Sequence, residues 1–175
     1  DGIRNEDWQE ISFGDGFDVV PDPSSMDHAY AMSQGGNVYR IHTGTGEMDY
    51  IQPNHPEGTP LRFNWNGAIA SNPHNENGVY FGSQFVHKSI NHGKAWEIIS
   101  PDLTTNDPEK QKQAESGGLT IDATKAENFT TVTCIAPDKF DENVIWAGTD
   151  DGHLQLTTNG GDTWTEFSEN LKNFP

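Results

Sequence analysis

The sequence predicts an all-β chain of repeated four-stranded units, and three observations carry that expectation. Helix-period patterning is nearly absent. Short alternating strands are punctuated by 18 glycines and 10 prolines. One turn is written twice, as Ser89-Ile90-Asn91-His92-Gly93-Lys94-Ala95-Trp96 and as Thr157-Thr158-Asn159-Gly160-Gly161-Asp162-Thr163-Trp164. Both copies read Ser/Thr-x-Asn-x-Gly-x-x-Trp. The hydroxyl and the Asn are suited to bond nearby backbone, Gly supplies positive φ, and Trp returns to pack beneath the turn.

Taken in order, the chain opens with Trp8-Gln9-Glu10-Ile11, read as the fourth strand of a preceding unit. The first full unit is an apolar run (Phe17 to Val20), a turn at Pro23, a strand at Ala29-Tyr30-Ala31-Met32-Ser33-Gln34, and a strand from Asn37 to Ile41. It ends in a degenerate turn, Thr43 to Ile51, that keeps the Gly and loses the Trp. The second unit repeats the plan with Gly67 to Ala70, Pro73, Val79-Tyr80-Phe81-Gly82-Ser83-Gln84, Val86 to Ser89, and Trp96-Glu97-Ile98-Ile99. The third has Val132 to Ala136, Pro137, Ile145-Trp146-Ala147-Gly148-Thr149-Asp150, His153 to Thr157, and Trp164-Thr165-Glu166-Phe167. Unit ends therefore fall near residues 11, 51, 99 and 167.

The first two intervals between Trp-equivalent positions are roughly 40 to 50 residues, the period of a four-stranded propeller blade. The third is longer because of a polar insertion, residues 101–126, with a helical turn expected around Pro108 to Glu115. Three blades and a leading strand cannot close a ring of about four to eight blades. The chain is thus expected to be about half of a seven-bladed propeller, with the remaining blades of the same propeller as its partners; self-association of several copies is the alternative. The start, Asp1-Gly2-Ile3-Arg4, has no initiator Met and no apolar leader, and it reads as a cut.

The doubled turn resembles the Asp-box, or BNR repeat, with Asn where the family most often has Asp. In that family the box is structural and joins the third and fourth strands on the outside of a blade. The resemblance assigns this role to Ser89, Asn91, Gly93, Trp96, Thr157, Asn159, Gly161 and Trp164. Gly14-Asp15-Gly16-Phe17, Ser33-Gln34-Gly35-Gly36, Arg62-Phe63-Asn64-Trp65-Asn66 and Ile99-Ser100-Pro101-Asp102-Leu103-Thr104 resemble the large sortilin-like secreted bacterial members, often labelled glycosyl hydrolase. The resemblance implies a secreted or cell-surface protein and names no reaction.

A net charge of −17, from 10 basic and 27 acidic residues, argues against a nucleic-acid or anionic-membrane surface. No apolar run is long enough for membrane insertion. The seven histidines form no metal-binding spacing and read as turn and surface residues, so no metal site and no cofactor are expected. Acidic loops such as 102–107 leave Ca²⁺ open, without the order of an EF-hand. The single cysteine, Cys134, sits in an apolar run and reads as a small core residue.

Counting back a fixed distance from Pro23, Pro73 and Pro137 reaches Asp15, Trp65 and Phe129, the entries to the innermost strands. In propellers this edge faces the ligand side of the channel. Asp15 and Asp18 are the candidate carboxylates for a glycosidase pair; Asp15 as the cap of a Gly-bracketed turn is the competing reading. Arg62, Asn64, Trp65, Asn66 and Phe129 combine a guanidinium, aromatic platforms and amides suited to a sugar or a peptide carboxylate. The competing reading packs Trp65 between blades and pairs Arg62 with an acid. Asn128-Phe129-Thr130 is a glycosylation sequon. Three function classes stand: a binding module for protein, peptide or glycan; a xyloglucanase-like glycoside hydrolase; and a structural module of an extracellular assembly.

Overall fold

The computed structural model describes residues 2–113, 115 and 128–168. They form three antiparallel four-stranded sheets, each a meander in chain order. The first holds β1 (Gly16–Pro21), β2 (His28–Ser33), β3 (Asn37–His42) and β4 (Met48–Tyr50). The second holds β5 (Ile69–Ser71), β6 (Val79–Gly82), β7 (Val86–Ser89) and β8 (Glu97–Ile98), and the third β9 (Val132–Pro137), β10 (Ile145–Thr149), β11 (Leu154–Thr157) and β12 (Thr165–Glu166). β1 packs on β5, and β5 and β6 pack on β9, so the first strand of each sheet lies at a common inner edge.

Sheets stack face to face because each inner strand pair alternates apolar residues to both sides. Tyr30, Met32 and Val38 of the first sheet meet Ile69, Val79 and Phe81 of the second. Tyr80 and Val86 meet Val132, Ile135, Ile145 and Ala147 of the third, with Leu103 beside them. There is thus one apolar layer per junction.

The doubled turn is built as its residue types dictate. Ser89 Oγ donates to Asn91 Oδ1 (3.0 Å) and accepts from Gly93 N (2.9 Å), and Asn91 Oδ1 accepts from Ala95 N (2.9 Å). Thr157, Asn159, Gly161 and Thr163 repeat the pattern at 2.9, 3.0 and 3.0 Å. Each Trp then reaches into the preceding sheet: Trp96 Nε1 donates to Ile51 O (2.7 Å) and Trp164 Nε1 to Ile99 O (2.8 Å). In the degenerate turn His42 Nδ1 takes over as acceptor, receiving Gly44 N and Thr45 N, both at 3.2 Å.

Four features differ from the sequence expectations. Trp8 to Ile11 is not a strand, and Trp8 is exposed. Cys134 is exposed rather than in the core. A bulge places Thr149 opposite Val132 and Gly148 opposite Cys134, so alternation resets, Val132 and Ile135 both turn inward, and Cys134 turns out. His87 is wholly buried on β7 rather than at the surface, with Nε2 at 2.7 Å from Ser83 Oγ. Pro137 is not the counterpart of Pro23 and Pro73: it pairs with Ile145 as Pro21 pairs with Ala29 and Ser71 with Val79.

The segment after β8 begins as a strap. Leu103 N donates to Gln84 O (3.0 Å), and Thr105 N and Oγ1 both donate to Asp151 Oδ2 (2.7 Å each), tying the second sheet to the third. Asp107 Oδ1 caps a 3₁₀ turn at Pro108–Gln111 by accepting Glu109 N (2.9 Å). The turn ends at Gln111, short of the expected Glu115, and residues 114 and 116–126 of the insertion lie outside the described residues.

Candidate functional site

The entries to the innermost strands are held by one repeated device that the sequence reading missed. The polar residue after the second strand of each sheet turns back to take a backbone N–H of its own sheet's entry. Gln34 Oε1 accepts Asp15 N (3.0 Å), Gln84 Oε1 accepts Arg62 N (2.8 Å), and Asp150 Oδ1 accepts Thr131 N (3.0 Å). The signal was present as the recurring pairs Ser33-Gln34, Ser83-Gln84 and Thr149-Asp150. Because Pro137 is shifted in register, the counterpart of Asp15 and Trp65 in the third sheet is Thr131, two residues beyond Phe129.

Neighbouring entries are linked into one rim. Gly35 N donates to Trp65 O (3.1 Å), and the Phe17 and Trp65 rings meet edge-on at 6.3 Å, joining the first and second entries. Asn64 Nδ2 donates to Asp150 Oδ2 (2.9 Å) and Thr131 Oγ1 (3.2 Å), joining the second and third. Asn64 Oδ1 accepts Asn66 N (3.1 Å) and shapes the turn that leaves Asn66 exposed. Asn128 Nδ2 donates to Phe63 O (2.8 Å), and Thr130 is fully buried, so the sequon is packed into this joint.

Arg62 is occupied. Its Nη2 donates to Asp102 Oδ2 (2.7 Å) and Thr104 Oγ1 (3.2 Å), and its Nε donates to Thr130 O (3.1 Å). Asp15 and Asp18 are exposed, and it is Gln34, not the Asp15 carboxylate, that caps the Gly14-Asp15-Gly16 turn. The Trp65 indole N–H is buried and has no protein partner. Phe129 carries Lys110 Nζ at 5.3 Å from its ring centre.

Two carboxylates of the third blade, one after β10 and one on β12, are held toward the charged form. Burial would raise the Asp151 carboxyl, but hydrogen bonds from Thr149 and Thr105 outweigh it and hold the group below its usual range. Glu166 moves down in the same way, with burial outweighed by Ser168 and His153. A second polar cluster lies away from the rim at the first junction. There the buried Asp22 carboxylate accepts Ser24 N and Oγ (2.9 and 2.7 Å) and Arg40 Nε (2.7 Å), with His92 Nδ1 at 3.3 Å. Among the described residues no group of three His, Cys, Asp or Glu side chains is placed to hold a metal.

No protein-family model matches the chain, and no curated protein matches it. Solved structures do. An ancestral GH74 enzyme matches at TM-score 0.54 and 19% identity over 91% of this chain, and the GH74 xyloglucanase from Xanthomonas campestris at 0.51 and 16% over 84%. YCF48 bound to D1 peptide matches at 0.50 and 13% over 88%. The fold is a β-propeller, present here as three blades. The chain spans 19% and 21% of the two GH74 chains and 40% of the YCF48 chain. No helix among the described residues is long and apolar enough to cross a membrane.

Proposed function

We propose that this chain is a non-catalytic binding segment of a larger secreted or cell-surface β-propeller, and that it captures a protein, peptide or glycan on the rim of the inner-strand entries. The doubled turn is read as the Asp-box of that family. The observation that carries the binding reading is the linked rim itself: three entries locked by Gln34, Gln84 and Asp150, with Asp15 exposed beside the Phe17 and Trp65 rings and a buried indole N–H unspent. A rigid rim with aromatic surface costs little entropy to occupy. With Arg62 neutralised by Asp102, the rim offers no free guanidinium for a ligand carboxylate. No cofactor is needed.

The fold is shared with a xyloglucanase and with a protein bound to a peptide, so both chemistries supply probes. A hydrolase would need two carboxylates across the scissile bond, one with its pKa raised. Among the described residues, Asp22, Asp138, Asp151 and Glu166 are each held below the usual carboxylate range, the opposite of what a general acid needs.

The test is a peptide and glycan array, followed by titration of the best binder and an assay for reducing sugar released from xyloglucan. Trp65→Ala is expected to weaken binding on the order of tenfold, as for loss of a well-packed anchor, with no turnover in either form. Sugar release abolished by Asp15→Asn or Asp18→Asn would replace this reading with the hydrolase. No binder, and no change on either substitution, would leave a structural module.

A further inference from the structure

The two junctions inside the chain obey one rule. In each, the turn Trp of the later blade donates to the carbonyl that ends the earlier blade, Trp96 to Ile51 and Trp164 to Ile99. The turn Gly of the later blade lies against the same residue: a Cβ on Gly93 would stand 2.7 Å from Ile51 Cδ1, and one on Gly161 would collide with Ile99 O. Ile51 N bonds Val38 O (3.0 Å), Ile99 N bonds Val86 O (3.0 Å), and Phe167 N bonds Leu154 O (2.7 Å). Phe167 is therefore the third member of the Ile51 and Ile99 series. Among the described residues no indole reaches its carbonyl.

The sheet face beside it follows the same series. Register places Trp146 where Tyr30 and Tyr80 stand, and Leu154 where Val38 and Val86 stand. Those four earlier residues are buried at 2% exposure or less. On the third blade Trp146 and Leu154 are only half-buried, and Cys134 and Ala136 are exposed. Leu156 occupies the position of Arg40 and Lys88, so this face is more apolar than the two that are covered.

We propose that this face of the third blade docks a further four-stranded blade that carries its own Ser/Thr-x-Asn-x-Gly-x-x-Trp turn and lies outside these 175 residues. The argument is continuity: the surface repeats, position by position, two interfaces already formed in the chain, each closed by an indole that donates to the carbonyl equivalent to that of Phe167. A second copy of the chain does not fit. Its first blade has Met48 in the Trp place, and a thioether has no N–H to offer. The approach is also taken, because Gln9 to Phe13 already line the crevice with His42, Thr43 and Gly46, and Gln9 Nε2 donates to Thr43 O (3.0 Å). Phe167 of a second copy would have to occupy the space of Ile11.

Cys134 reports on the face directly. In the polypeptide that carries this chain, purified from its source, a thiol reagent is expected to modify Cys134 on the order of tenfold or more slowly than in denaturing urea. A benzophenone photo-crosslinker placed at Leu156 is expected to attach to a segment bearing the Trp turn and not contained in this chain. Equal labelling rates in the native and denatured states would overturn the proposal. So would a crosslink to residues 29–48 of a second copy, or to a segment without such a turn.

Discussion

Asn159 shows how much one side chain carries in the turn. Its Oδ1 accepts Thr157 Oγ1 and Thr163 N, and its Nδ2 donates to Thr163 Oγ1 (2.9 Å). Asn159→Ala removes these together and is expected to cost about 1–3 kcal/mol in chemical denaturation, since orphaned partners lose more than a single net hydrogen bond. Thr157→Val keeps the shape and strips the buried hydroxyl that accepts Gly161 N, with a similar loss. Gly161→Ala is worse, because φ is 111° and the new methyl meets Ile99 O; more than about 2 kcal/mol is expected. A Gly161→Ala protein as stable as wild type would refute this close-approach account. The hydrogen-bonding roles of Thr157 and Asn159 were legible in the sequence because their partners all lie within four residues, whereas the approach of Gly161 to Ile99 crosses a blade junction and was not. Gln34, Gln84 and Asp150 were not, since their partners lie about twenty residues away and only the fold brings them back.

Strand β7 carries a pH dependence of its own. Burial, with a smaller contribution from His55, pushes the His87 imidazole down to about 4 from 6.5. In the unfolded chain the group takes its proton as pH falls through 6.5, whereas the folded chain refuses it until about 4. The stability it contributes is therefore complete above 6.5 and is lost across that window, by at most on the order of 3 kcal/mol. Asp22 acts in a separate window: Ser24 and Arg40 overcome burial to lower its carboxyl, so its contribution goes only as pH drops below 3.8. Thermal unfolding from pH 7 to 4 is expected to show a falling midpoint in wild type and a flatter one in His87→Gln. Identical slopes would mean the imidazole is not the group that titrates. The alternation that placed β7 was readable in the sequence; that its histidine faces Ser83 inside the sheet stack was not, because polarity alone suggested the surface. Register failed at β9 for a related reason. A bulge and a Pro two residues early look like an ordinary spacing change until Pro137 is seen opposite Ile145.

At the scale of the molecule, the main contacts among the described residues join neighbouring blades: β1 meets β5, and β5 and β6 meet β9. Such an array is stabilised by each blade and by each junction, and the junctions can fail one at a time. The second junction rests on the apolar layer of Tyr80, Val86, Ile135 and Ile145, on the Thr105–Asp151 strap, and on the Trp164 bond to Ile99. Trp164→Phe keeps an aromatic ring under the turn and deletes only the N–H that crosses the junction. Amide hydrogen exchange should then show protection in Ile145–Thr149 and Leu154–Thr157 falling on the order of tenfold, the equivalent of one lost hydrogen bond. Protection in His28–Ser33, two blades away and joined through the intact Trp96 bond to Ile51, should be unchanged. A uniform loss across all three sheets would show instead that the blades open as one cooperative unit, and that the indole bond holds the whole stack rather than a single joint.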